Sequence, residues 1–148
     1  EDLVMFSAAD PEFGWTAVHF PGYVWIAIRN CKELPSTLFW HSNGGRPYAP
    51  WNDRHTRRLG IEDVCSYFHE GAEISSEDRL HAEGIATSKA FHTDQAESIH
   101  HIQLVHPITP EFGAVESITR DESGRGIQLL NKTGQIELVP VDWNFLYP

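Results

Sequence analysis

FWHSNGGRPYAPWNDRHTRRLGIEDV, residues 39–64, reads as the end of one strand, a stiff loop and a second strand. Side chains alternate across a sheet, so in Thr37–Ser42 the residues Thr37, Phe39 and His41 share one face while Leu38, Trp40 and Ser42 share the other. NGGRPYAP then breaks the strand. Its two glycines allow a tight backbone and its two prolines stiffen the return, so that Arg46 and Tyr48 are offered from a constrained loop. In the strand that follows, Leu59, Ile61, Asp63 and Cys65 fall on one side and Arg58, Gly60, Glu62 and Val64 on the other. Glu62 stands mid-strand with Gly60 beside it, and a carboxylate with an empty neighbouring position is the expected look of a ligand pocket over a sheet.

Outward from this stretch, short apolar or alternating runs are cut by turn signals at intervals of roughly ten residues, the pattern of an antiparallel sandwich or barrel. Strands are expected at Leu3–Ser7, Trp15–Phe20, Tyr23–Arg29, Thr37–Ser42, Arg58–Tyr67, Ala86–His92, Ser98–Val105, Val115–Arg120, Gly126–Leu130 and Gln135–Val139. ESGRG and NKTG supply glycine where consecutive strands reverse, so the last three are expected to form a meander. Only SSEDRLHAEG reads as helical: Ser75 with Asp78 resembles a capping box, Leu80 begins an apolar face and Gly84 ends it. The chain shows no internal repeat and no low-complexity segment.

The 148 residues suit one domain, and a chain of that size can bury about 70% of its unfolded surface. Eleven Lys and Arg against 21 Asp and Glu give a net charge of −10, which repels phosphate backbones, so no nucleic-acid partner is expected. The longest apolar run, Val24–Ile28, is far short of the roughly 20 residues a membrane helix needs. With no basic, apolar leader at the start, the expectation is a soluble, cytoplasmic protein with no membrane partner. Residue 1 is Glu, which suggests that processing or excision removed what preceded it. Two cysteines, Cys31 and Cys65, are too few for a disulfide framework or a thiolate zinc site, and both are expected to be reduced core residues.

VWIAIRNCKELPSTLFWHSNGGRPYAPWNDRHTRRLGIEDV, residues 24–64, resembles the late portion of galactose mutarotase-like proteins, the aldose 1-epimerase superfamily. The likeness is clearest over residues 23–68 and continues through SSEDRLHAEGIATSKAF and VHPITPEF to an expected last strand near VPVDWNFL. It implies a large β-sandwich, the supersandwich, of which residues 1–148 resemble the C-terminal part. A missing N-terminal portion or a homo-oligomeric partner would then complete it. The family shows Glu-Pro-Trp where this chain has Glu62-Asp63-Val64, so the match is to the glutamate and its strand.

The activity implied is interconversion of sugar anomers by ring opening: a carboxylate takes the proton of the anomeric hydroxyl while an acid, in the family a histidine, protonates the ring oxygen. Glu62 is the matching base, against the plainer reading of a solvated strand carboxylate paired with Arg58. The family's acid lies upstream of the matched region. His19 is the only histidine there, and its neighbours do not fit, so the chain is expected to carry a base without its acid and to catalyse weakly alone. His41 is a candidate for sugar binding or a surface histidine. Arg46 is a candidate fork for paired oxygens or a loop ion pair. Trp51 would stack on a pyranose or plug the loop, and Trp25 and Trp40 read as core. Arg57 and Arg58 point opposite ways, so at most one meets a pocket, and Arg58 shares Glu62's side. A sugar is the expected small-molecule partner, without cofactor.

Nine histidines raise a metal reading, but His100 and His101 are neighbours facing opposite ways and no His-x-His, His-Glu-x-x-His or Cys-x-x-Cys occurs, so no metal is expected. No nucleophile elbow or phosphate loop appears either. The remaining alternatives are a sugar-binding protein without catalysis and a structural half-domain that pairs through an open sheet edge. Asn131-Lys132-Thr133 is formally a glycosylation sequon.

Overall fold

The structure, a computed structural model, describes residues 2–7 and 13–148. Nine strands form three three-stranded antiparallel sheets: β1 (Asp2–Ser7), β4 (Ser36–Ser42) and β5 (Arg58–Val64); β2 (Gly14–Phe20), β3 (Tyr23–Arg29) and β6 (His101–Pro107); and β7 (Val115–Arg120), β8 (Gly126–Asn131) and β9 (Ile136–Pro140). Two short helices, α1 (Gly71–Ser75) and α2 (Trp143–Leu146), and two 3₁₀ turns complete the described elements. The all-β, antiparallel class expected from the alternating runs is the class observed, and the last three strands form the expected meander. The described residues gather into two compact units, one holding β1 with Cys31–Glu97 and the other residues 13–30 with Ser98–Pro148.

In the second unit, two sheets share one apolar core. Val24, Ile26 and Ile28 alternate onto the inner face of β3, and Ile127, Leu129 and Val139 come from the meander. Trp143 and Leu146 of α2 close this core, and the indole Nε1 donates to the Gly126 carbonyl at 3.0 Å. Asp121 shapes the β7–β8 turn by accepting from the backbone N–H of Arg125 and Gly126, both at 3.0 Å. Asn131, 2% exposed, organises the next turn: it donates to the Phe112 carbonyl at 2.7 Å and accepts from the N–H groups of Thr133 and Gln135. The sequon's Asn131 is therefore a buried turn device.

The first unit is built on the β1-β4-β5 sheet, whose register sets Trp40 opposite Leu3 and Gly60, and Leu38 opposite Met5 and Glu62. Thr37 Oγ1 donates to Asp63 Oδ1 at 2.6 Å across β4 and β5.

Several expected elements are revised. The strand from Arg58 stops at Val64, because Phe68 at φ 48° turns the chain and the Ser66 hydroxyl bonds the Phe68 carbonyl. Ala86–His92 forms no strand: Thr87 is its one buried residue and no strand pairs with it. The strand expected at Ser98–Val105 is β6 and runs from His101 to Pro107. The expected helix start is a helix end: Ser75 closes α1, its hydroxyl accepts from the Tyr67 N–H at 2.9 Å instead of capping, and Asp78 at φ 53° prevents continuation. Gly84 does terminate a helical turn, His81–Glu83, in the left-handed conformation. The expected last strand near VPVDWNFL ends at Pro140, since Asp142 accepts from the Asn144 N–H and starts α2.

Candidate functional site

The face of the first sheet that carries Leu38, Trp40 and Glu62 forms the floor of an open groove of about 820 Å³. Alternation brings Leu3, Leu38, Trp40, Glu62 and Val64 to this floor from three strands, as the register requires. Gly60 does not leave a vacancy beside Glu62. A Cβ there would stand 3.1 Å from Trp40 Cε3, so the glycine makes room for the indole, and Trp40 is groove wall rather than core.

Arg46 comes from the Gly-Gly loop. Gly44 and Gly45 lie at φ 90° and 91°, a region costly for any side chain, and the loop closes through Gly44 N–H to the His55 carbonyl at 2.8 Å and Asp53 N–H to the Arg46 carbonyl at 2.9 Å. The Ser42 hydroxyl also donates to the His55 carbonyl, at 3.0 Å. The guanidinium carbon of Arg46 then lies 5.5 Å from the Trp40 ring centre and 5.3 Å from that of Trp51. Both distances suit cation–π attraction. The His55 ring meets Trp51 edge-on at 4.5 Å and Trp40 at 5.4 Å.

The opposite wall is the chain after β5, with Phe68, His69, α1, Thr87 and Lys89. Ser75 ties it together, accepting from the Tyr67 N–H through its hydroxyl and from the Thr87 hydroxyl, at 2.6 Å, through its carbonyl. Met5 sulfur accepts from the Phe68 N–H at 3.3 Å and fastens the wall to β1. Arg79 lies over the Tyr67 ring at 5.2 Å and its hydrogen bond to Glu77 holds it firmly protonated, so it braces the wall. Cys65 is half-buried in the groove rather than in the core. Its thiol is pushed up chiefly by burial, with Lys89 pulling the other way and Asp78 adding to the rise.

Of the five residues singled out from sequence, Glu62 and Arg46 line the groove. No hydrogen bond or ion pair links the exposed Glu62 carboxylate to another described residue. Trp51 packs on Arg46 and His55 and stands behind the lining. His41 lies on the opposite face of the sheet, 3.9 Å from Asp2, and exposed Arg58, opposite Ser42 at the far end of β5, is outside the lining. The sequence reading missed Trp40, His69 and Lys89. Pairing Trp40 with Gly60 would have revealed the first; the other two sit on irregular backbone with no periodic signal.

Among the described residues no cluster of three or more His, Cys, Asp or Glu could hold a metal ion, and no helix is long and apolar enough to cross a membrane. No family model, curated protein or solved structure matches the chain.

Proposed function

We propose that the chain is a carbohydrate-recognising domain of the galactose mutarotase-like kind that interconverts sugar anomers by general acid–base ring opening. The observation that carries this reading is that Glu62, Arg46 and Trp40 line one groove of about 820 Å³. Small-molecule sites commonly span roughly 300–1,000 Å³ and combine apolar walls with a few polar groups. An indole suits the C–H face of a pyranose, while a carboxylate and a guanidinium suit its hydroxyls. In the reaction Glu62 takes the anomeric hydroxyl proton, the bond from the anomeric carbon to the ring oxygen breaks as the carbonyl forms, and the ring oxygen gains a proton. His69, the histidine in the groove lining, is the donor we assign to that last transfer.

Polarimetry on freshly dissolved glucose or galactose tests this. Glu62→Gln and His69→Gln should each cut the protein-dependent rate by about 10²–10⁴, the usual share of a general acid or base. A wild-type rate equal to buffer would overturn catalysis. Glu62 and His69 are both exposed, and solvation of catalytic groups favours a second reading, recognition of a sugar without conversion. That reading requires sugar-induced NMR shifts at the groove with no rate above buffer.

A further inference from the structure

Of the five asparagines in the chain, Asn43 is the one followed by a glycine, Gly44. The side-chain carbon of an asparagine can close a five-membered ring with the backbone nitrogen of the next residue, and a side chain on that residue obstructs the approach. Glycine removes the obstruction. Asn43 is also exposed, where the loop leaves β4. By contrast Asn30 is buried, and Asn131 is buried with its amide engaged in a turn. Neighbour and exposure together single out one asparagine for reaction with its own backbone.

The fold restrains the same atoms. The Gly44 N–H, whose nitrogen would attack, donates to the His55 carbonyl at 2.8 Å, and the Asn43 side-chain oxygen accepts from the Arg57 N–H at 3.4 Å. Both bonds join the start of the loop to its end, and the Asp53 N–H adds a third to the Arg46 carbonyl at 2.9 Å. Trp51 packs edge-on against the His55 ring at 4.5 Å and steadies that end. While these bonds hold, the Gly44 nitrogen and the Asn43 side chain are each tied to a different partner, so residues 43–57 must open before the two can react.

We propose that Asn43 is a self-modifying site, converted by water to aspartate or isoaspartate, and that closure of the 43–57 loop sets its rate. When the loop opens, hydroxide removes the Gly44 amide proton and the nitrogen electron pair bonds to the Asn43 side-chain carbon. The bond from that carbon to Nδ2 breaks, and the nitrogen leaves as ammonia after taking a proton from water, which regenerates hydroxide. A second water then opens the five-membered imide at either carbonyl. One opening leaves an aspartate side chain; the other routes the main chain through the former side chain and adds one atom to the backbone three residues before Arg46. This inference is independent of the sugar-site reading, yet it reaches the groove, because Arg46 is part of the lining. An aspartate oxygen accepts from Arg57 as the amide oxygen does, so the isoaspartyl form is the one that shifts Arg46 from Trp40 and Trp51.

Peptide mapping by mass spectrometry, on the 148-residue chain incubated for weeks at neutral pH in buffer or in urea, tests it. In urea Asn43 should convert about tenfold faster than any other asparagine, since each of those precedes a residue with a side chain. In buffer it should convert about tenfold slower than in urea, the worth of one or two backbone hydrogen bonds. Trp51→Ala should speed conversion and hydrogen exchange at the Gly44 amide by the same factor, because one opening exposes both. Should Trp51→Ala not fold, urea below the unfolding midpoint should raise the two rates together. Asn43→Gln, which would need a larger ring, should abolish the reaction at 43. The isoaspartyl fraction, separated by chromatography, should show a shifted Trp40 indole N–H resonance. Conversion spread evenly over the asparagines in urea would overturn the site, as would a folded chain unchanged at 43 beside a converted urea sample. Equal rates in buffer and urea, or faster Gly44 exchange without faster conversion, would overturn the loop as gate. An unmoved Trp40 resonance in the isoaspartyl fraction would overturn the effect on Arg46.

Discussion

Gly126→Ala measures how tightly the meander is closed. Gly126 is buried in β8 opposite Pro140, and a Cβ added to it would stand 2.5 Å from the Val139 carbonyl oxygen and 3.2 Å from its carbon. Those are backbone atoms, so no side chain can swing aside. Contacts between non-bonded atoms are comfortable at about 3.5 Å, so β8 and β9 must part by close to an ångström. Overpacking of that kind costs about 1–3 kcal/mol. Parting the strands also stretches the bond from Trp143 Nε1 to the Gly126 carbonyl and that from the Gly126 N–H to Asp121, each worth about 1 kcal/mol. Against this, alanine restricts the unfolded chain and returns about 0.5–1 kcal/mol. The net expectation is a loss of about 2–3 kcal/mol, which at a urea dependence of about 2 kcal/mol per molar lowers the unfolding midpoint by about 1 M. The Trp143 indole N–H resonance should shift as its bond lengthens. A midpoint within about 0.2 M of wild type, with that resonance unmoved, would refute the claim that Gly126 is required by close approach.

Asp121 has its carboxyl lowered first by the Ser123 hydroxyl and then by backbone N–H groups, with burial opposing. Its contribution is therefore present above the unfolded carboxyl value of about 3.9 and lost as pH falls through the lower folded value, so the gap in urea midpoint between wild type and Asp121→Asn should close in acid. Cys65 has the opposite sign: a thiol raised by burial stabilises the fold below the unfolded value of about 8.5 and stops doing so as pH rises through the folded one. Cys65→Ser should flatten the alkaline fall in midpoint. Ser75→Ala leaves the Tyr67 N–H without its acceptor, which should cost about 1 kcal/mol and speed hydrogen exchange at that amide relative to β8. Val4, Phe6 and Leu59, 47%, 58% and 50% exposed, share the sheet face away from the groove, and the expected outcome is dimerisation through them, read by sedimentation at micromolar concentration and reversed by Phe6→Asp.

Strand positions were the legible part of this chain because period-two alternation is a local signal: β3 and β7 appear with the bounds expected, Tyr23–Arg29 and Val115–Arg120, and β1, β2, β4, β8 and β9 within a residue or two. What the sequence hid depends on distant partners. Ser75 looks like a helix start in isolation, but the Tyr67 N–H takes its hydroxyl and converts a cap into a tether. Ala86–His92 has strand-like composition but pairs with none of the described strands. The site followed the same rule. Glu62 and Arg46 were found because strand alternation and a Gly-Gly turn announce themselves, while His69 and Lys89 reach the groove only through the fold of residues 65–89. Alternation itself already set His41 opposite to Trp40, so grouping His41 with Glu62 overlooked what the pleat dictates.

The register of β4 against β5 joins the fold to the proposed chemistry. A slip of one residue would carry Glu62 to the other face of the sheet and remove it from the groove. Two devices on opposite faces oppose that slip. On one, the Thr37 hydroxyl reaches Asp63 at 2.6 Å, a bond available only when those residues are opposite. On the other, Trp40 requires a neighbour without a side chain, and Gly60 is the position in β5 that supplies it. The same indole then presents one face to Arg46, so a single steric requirement fixes which way Glu62 points and where the guanidinium rests. A side chain at 60 would therefore press on Trp40, whose ring must give by a few tenths of an ångström, and through it on Arg46, even though position 60 itself carries no chemistry.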